Sequence, residues 1–432
     1  MSKFEILGVY IESAGEKVRV GSLLRDTGGL VRFDIDESYI ELGEYRPILS
    51  SSLLRIGDEE YTRTLLRSAP MLKGGRDVHP WFTNLLPEGA LKELVLRGMP
   101  TGSTTDFDVL KWVGHDLPGA VSVVAEDGSR TAPPITDETT EQHGIRFSLA
   151  GVQLKFSMQK AKDERLTLPA TGVNGDIIAK LPSVKYRNLP EVEYSSMTLA
   201  AAVGVTVPEF NLVPTSSVSG LSEEVLEGGD QVLAVTRFDR RPDGTRVHME
   251  DFLQILGDPT DRKYTAANEE TVLKIATRLG GGGTAPFLQA ARRIAANILM
   301  GNTDAHLKNW SLWYPKPHEG QLSPAYDIVA SYVYDHRHDM ALRFRGTHNS
   351  RIMDLARFQR AAEFCDVPTA RVKKEIKLVV EKAADEWQSL LQDLPMPEDF
   401  AETLVERTKS LALVDELGAD FDHSQGLVRN MR

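Results

Sequence analysis

Apolar and polar positions alternate over the first stretch of the chain. Phe4–Tyr10 and Lys17–Gly21 read as two strands joined at Ala14-Gly15, and Leu30–Asp34 continues the β pattern. The period then changes. Helical segments are expected near Phe82–Gly89 and Phe107–Val113, before Pro118–Val124 returns to strand. Ser129–His143 is polar, carries Pro133 and Pro134 and has no period, which makes it the best linker candidate. Gly144–Phe238 is mixed, with short strands, a helix around Tyr194–Val203 and a hairpin-like insertion at Ser216–Asp230. From Met249 onward helical patterns dominate. Phe287, Leu288, Ala291, Ile294, Ala295, Ile298 and Leu299 define one buried helix face. The glycines Gly280–Gly283 precede that helix without a following Gly-Lys-Ser/Thr, so they read as a loop. The chain divides on this reading into 1–125, 126–240 and 241–432, an α+β organisation whose last segment is mainly helical.

Bulk properties narrow the function classes. The chain has 432 residues, long for one core, and its 41% hydrophobic and 26% charged content is ordinary for a globular protein. Fifty basic against 62 acidic residues give a net charge of −12, which disfavours direct nucleic-acid binding by the chain as a whole. One cysteine, Cys365, rules out an intrachain disulfide or a multi-cysteine metal site and is expected to be a buried small residue. No run approaches a membrane span and Met1–Leu24 lacks a cationic region followed by a long apolar segment, so the cytosol is the expected compartment and no membrane partner is expected.

The candidate chemistry lies in Gly301–Asn309. Asp304 and Asn309 stand five residues apart after the periodic helix, the spacing of the protein-kinase catalytic loop. There an aspartate accepts a hydroxyl proton and the asparagine holds magnesium. Asp304 is the candidate base and Asn309 a metal ligand, with His306 and Lys308 between them as possible phosphate contacts. Asp327 follows Pro324-Ala325-Tyr326 and precedes Ile328. A carboxylate beside apolar residues is costly to bury unless paired or bound to metal, so it is the second candidate magnesium ligand. Lys180 follows the strand-like Asp176–Ala179 and suits the α- and β-phosphates of ATP, with Glu193 at the start of the next helix placed to hold its ammonium. Zinc hydrolysis is disfavoured by the absence of His-Glu-x-x-His, and a serine hydrolase by the absence of Gly-x-Ser-x-Gly.

Taken together these residues resemble the HipA serine/threonine kinases, toxins of bacterial type II toxin–antitoxin modules. The likeness spans nearly the whole chain. Asn84–Gly89 and Val113–Ala120 resemble the N-terminal signatures, Ser148–Lys155 the phosphate-loop segment, and Arg237–Arg240 with Glu250–Phe252 the middle motifs. Asn302–Asn309, Pro324–Asp327 and Asp339–Leu342 resemble the catalytic, metal and later motifs. The resemblance implies a two-lobed kinase-like fold with an extra N-terminal α/β subdomain, and ATP and magnesium as cofactors. It implies nucleotide contacts from Gly151, Val152, Gln153, Lys155, Lys180, Glu193, Thr236, Phe238 and His306, with Phe238 against adenine. Ser148 falls at the autophosphorylated serine. The implied partners are a HipB-like helix-turn-helix antitoxin, operator DNA reached through it, and a protein substrate such as an aminoacyl-tRNA synthetase. Two other readings remain open: a kinase-shaped co-repressor scaffold, and a small-molecule kinase. Thr236 stands where the family often has glutamate, and Asp327 is followed by Ile-Val instead of Phe-Gly.

Overall fold

The computed structural model describes residues 4–69, 71, 74–100, 102, 105–126, 153–160, 165–167, 175–221 and 225–421. The linker candidate Ser129–His143 lies outside them, as do Ser148, Gly151 and Val152. The chain forms two compact units, each gathered from separate stretches: Met1–Arg187, Val213–Ala266 and Ser311–Ser323 in one, and Asn188–Leu212, Ala267–Trp310 and Pro324–Arg432 in the other. Strands and helices are mixed throughout, in agreement with the α+β expectation.

In the first unit, β1 (Phe4–Ser13), β2 (Glu16–Asp26), β3 (Val31–Ile35) and β4 (Val121–Ala125) form an antiparallel sheet in the order β3-β2-β1-β4. Ala14 and Gly15 both have positive φ, 53° and 82°, the backbone that closes a two-residue hairpin whose twist matches its strands. Leu7, Val9, Ile11, Leu23 and Phe33 point into a core completed by Trp81, Phe82, Phe107 and Leu110 from helices Pro80–Thr83 and Asp106–Val113. Phe33 meets Phe82 edge to face at 4.9 Å.

The same unit holds β5 (Lys155–Lys160), β6 (Leu166–Thr167), β7 (Ile177–Lys180), β8 (Phe210–Pro214), β9 (Val218–Ser219) and β10 (Gln231–Thr236), although β8 is where the chain returns from the second unit. Strands β10, β7, β5, β6 and β9 lie side by side in that order. A third sheet joins β11 (His248–Asp251), β12 (Ser311–Lys316) and β13 (Glu319–Leu322). These strands fall where helical patterning was expected to dominate. Their runs of four to six residues are too short for period to separate strand from buried helix, and β11 pairs with a strand about sixty residues on.

Several segments singled out in the sequence bind the first unit together. The Glu250 carboxylate accepts from the Ser50 hydroxyl at 2.8 Å, the Ser51 amide at 2.7 Å, the Trp81 indole at 3.0 Å and the Tyr314 hydroxyl at 2.6 Å. A buried carboxylate with four donors escapes the cost of lost hydration. Asp239 is held in the same way by Arg237, at 2.7 and 2.9 Å, and by the Gly119 amide at 2.9 Å. Burial alone would raise the Asp239 carboxyl, but Arg237 and Arg240 outweigh it and hold the group well below the usual carboxylate range. Gly119 has φ +71°, and a Cβ there would lie 2.7 Å from the backbone nitrogen of Met249, so no other residue fits.

The second unit is mainly helical: Leu189–Ala202, Glu269–Leu279, Thr284–Met300, Leu355–Phe364, Thr369–Asp393, Glu398–Lys409 and Ala412–Leu417, with a hairpin of β14 (Asp339–Phe344) and β15 (Thr347–Asn349). Thr284–Met300 is the buried axis. Phe287, Ala291, Ile294, Ala295, Ile298 and Leu299 are inside, on the periodic face expected, while Leu288 of that face is only partly buried and Ala290 is buried in addition. The helix stops at Gly301, whose φ of 72° closes it in the left-handed conformation. Cys365 is buried, as expected. Among the described residues no helix is long and apolar enough to cross a membrane.

Candidate active site

The segment that leaves the Thr284–Met300 helix is shaped by its own apolar residues. Ala305, Leu307 and Trp310 are buried, which turns Asp304 outward to solvent and leaves Lys308 half-exposed. A 3-10 turn over Leu307–Asn309 closes the segment, and the His306 amide donates to the carbonyl of Asp304 at 2.8 Å. His306 itself is buried, 8% exposed.

The side-chain nitrogen of Asn309 donates to the backbone carbonyl of Asp304 at 2.9 Å. That bond occupies the amide nitrogen and leaves the side-chain oxygen, the atom a hard cation needs, as the group's acceptor. Asn302 secures the other end of the loop, donating to the Asn297 side chain at 3.2 Å and accepting from the Asp304 amide at 3.2 Å. The Thr303 amide donates to the Ser331 hydroxyl at 2.8 Å.

Asp327 lies on a second loop of the same unit. It is half-buried and caps no helix, with buried Ala325 and Ile328 on either side. Its φ of 52° places it in the left-handed region, where a non-glycine residue costs about 1–3 kcal/mol and persists only when neighbours hold it. The two loops are tied. The Tyr326 hydroxyl donates to the carbonyl of Lys308 at 3.0 Å, and one guanidinium nitrogen of Arg293 donates to the carbonyls of both Asn309, at 2.8 Å, and Tyr326, at 2.9 Å.

From the helical side, Arg407 donates to the carbonyls of Ile298 and Leu299 at 2.6 and 2.7 Å, satisfying the end of the helix just before the candidate catalytic segment. Burial lowers its guanidinium to about 10, so it stays charged at neutral pH. Sequence reasoning missed Arg293, Arg407, Tyr326 and Ser331. For Arg293 a signal existed, because its place on the helix, three after Ala290, puts a cation on the inward face.

Asp304, Asn309 and Asp327 are thus brought into one hydrogen-bonded assembly. Among the described residues no three His, Cys, Asp or Glu side chains gather as a metal site. One carboxylate and one carboxamide oxygen nevertheless fit magnesium, which keeps water ligands and takes others from phosphate.

Lys180 ends β7, buried at 5% exposure, opposite Leu233 of β10 and Lys155 of β5. Gln153 donates to the carbonyl of Leu181 at 3.1 Å. Thr236 ends β10, and the partly buried Phe238 packs edge to face on Trp313 at 5.8 Å. All of these belong to the first unit. Glu193 belongs to the second, fully buried in the Leu189–Ala202 helix, which starts earlier than expected and so places Glu193 beyond its first residues.

Residues 13–124 match the model of the HipA N-terminal domain, and residues 147–387 that of the HipA-like C-terminal domain. The chain belongs to the HipA family. A Sinorhizobium fredii relative named "Putative kinase Y4dM" is 37% identical over 423 residues, 96% of this chain and 99% of that protein. The "Serine/threonine-protein kinase toxin HipA" of Shewanella oneidensis is 27% identical over 292 residues, 59% of this chain and 63% of that one. Among solved structures, a chain of the Shewanella oneidensis HipA, HipB and operator DNA complex superposes with a TM-score of 0.71 at 20% identity. The match covers 95% of this chain and 99% of that one, a likeness of fold.

Proposed function

We propose that this HipA-family chain is an ATP- and magnesium-dependent serine/threonine protein kinase that acts as the toxin of a toxin–antitoxin module. The observation that carries the reading is the bond from Asn309 to the backbone of Asp304, within a loop tied to that of Asp327. Phosphoryl transfer asks a protein mainly for position and charge. Asp304, turned to solvent, orients the acceptor hydroxyl and takes its proton. Asn309 and Asp327 hold magnesium, which neutralises phosphate charge when bound. Lys180 contacts the non-transferred phosphates, Glu193 is assigned to the nucleotide site by family resemblance, and Lys308 and His306 are the loop's phosphate contacts. Gly151, Val152, Gln153, Lys155, Thr236 and Phe238 complete the nucleotide contacts by family resemblance.

The kinase-toxin name of the Shewanella relative supports this reading, and the HipA, HipB and operator DNA complex supports a HipB-like antitoxin as partner, with DNA reached through it. The substrate proposed is a translation protein such as an aminoacyl-tRNA synthetase. Phosphoproteomics after brief induction tests it: a serine or threonine site that rises with this chain and not with Asp304→Asn identifies the acceptor, and no such site contradicts the reading. Ser148 is proposed, by family resemblance, as an intermolecular autophosphorylation site, where a phosphoserine's roughly −1.5 to −2 charges would oppose triphosphate binding and limit activity. Mass spectrometry finding Ser148 unmodified in a chain that phosphorylates substrate contradicts that step.

A further inference from the structure

The Thr284–Met300 helix buries a cation that no apolar core needs. Arg293 is 3% exposed on the face otherwise made by Ala290, Ala291 and Ile294. Its guanidinium lies over the Trp310 ring, 4.1 Å from the centroid, and one nitrogen donates to two carbonyls, Asn309 at 2.8 Å and Tyr326 at 2.9 Å. Its Nε has no hydrogen-bond partner among the described residues. A well-packed apolar side chain would fill this space at lower cost, since a buried charge repays its lost hydration only through excellent geometry. The two carbonyls are what the charge gains.

Both belong to peptide planes that set the site. The carbonyl of Tyr326 shares its plane with the amide of Asp327, so holding it fixes the plane about which the left-handed φ of Asp327 turns. The carbonyl of Asn309 ends the catalytic segment, one residue before the Trp310 ring on which the guanidinium rests. The positive charge also acts on Asp327 itself, a favourable interaction for a carboxylate beside apolar neighbours.

We propose that Arg293 is a positioning residue that locks the metal loop to the catalytic loop, holding Asp327 in its left-handed conformation beside Asn309. This rests on the phosphoryl-transfer reading for its kinetic consequence, though not for its structural one. Arg293 does not touch substrate; it acts through Asn309 and Asp327.

The full-length chain tests it with two readouts. In Arg293→Met, which keeps the stem and loses both donors, the magnesium concentration giving half-maximal transfer at saturating ATP is expected to rise about 10–100-fold, the usual effect of losing a group that orients a metal ligand. The KM for ATP should change far less. Arg293→Lys, which keeps the charge but not the planar fork, should lie between Met and the original. Hydrogen exchange, which needs no activity, should quicken in peptides covering 302–310 and 322–331 together, with the helix Thr369–Asp393 unchanged. Should Arg293→Met fail to fold, Arg293→Lys carries the comparison, with exchange raised in both loops. An unchanged magnesium dependence together with unchanged exchange in either loop overturns the proposal, as does a uniform rise across the second unit. If the original chain transfers no phosphate, the kinase reading fails, while the exchange comparison still decides the role of Arg293.

Discussion

Asn309 donates its side-chain nitrogen to the backbone of Asp304, so the candidate base and the candidate metal ligand share one rigid turn. A single contact thereby anchors the backbone at the candidate proton acceptor and leaves an amide oxygen for a cation. Asn309→Ala removes both effects. It should leave folding intact and lower phosphoryl transfer by about 10–100-fold, with a raised magnesium requirement. Steady-state rates across a magnesium titration check this; wild-type rates at low magnesium would contradict it.

Lys180 is proposed to face phosphate from the end of β7. Lys180→Ala should weaken Mg-ATP binding by about ten- to a hundredfold, since a charge-assisted contact contributes on the order of 1.5–3 kcal/mol. Calorimetric titration with Mg-ATP measures it directly, and an unchanged affinity would remove Lys180 from the nucleotide site.

Glu269 gives the fold a pH dependence. It is fully buried, and neither carboxylate oxygen has a hydrogen-bond partner among the described residues. Burial pushes its carboxyl up to about 8, with Arg293 opposing and Glu270 reinforcing the shift. The unfolded chain therefore binds fewer protons than the folded one between the ordinary glutamate range and about pH 8, and stability contributed at low pH is lost as pH rises through that window. Glu269→Gln should raise the melting temperature at pH 8.5 and change it little at pH 5. Equal effects at the two pH values would contradict the assignment.

The net charge of −12 bears on DNA. The purified chain alone should bind operator-like duplex weakly and without sequence preference, and join a specific complex only when its antitoxin is present. Gel shifts with and without the antitoxin test this, and a tight, specific shift by the chain alone would refute it.

Local signals carried much of this fold into the sequence. The β1–β2 hairpin was legible because alternation on both sides meets a turn at Ala14-Gly15, and the central helix because Phe287 to Leu299 keeps one apolar face. The sheet of β11, β12 and β13 was not, since its pairing is non-local and each strand is short. Among the candidate site residues, Asp304, Asn309 and Asp327 were singled out by spacing and motif, and the structure ties their two loops together. Arg293 was hidden by its type: an arginine in an amphipathic helix is ordinarily on the outside, and only its position on the inward face marked it. Glu250 and Asp239 sit in motifs that were recognised, but the partners that hold them come from Ser50, Trp81 and Gly119, far away in the chain.

Phosphoryl transfer itself is tested most directly by following radiolabel from [γ-³²P]ATP into protein, using the full-length chain and its Asp304→Asn and Asp327→Asn variants, with and without magnesium. Magnesium-dependent labelling is expected from the original chain, with loss of it by at least about a hundredfold in both variants, which remain folded by circular dichroism. Labelling by either variant at a rate near that of the original chain would contradict it.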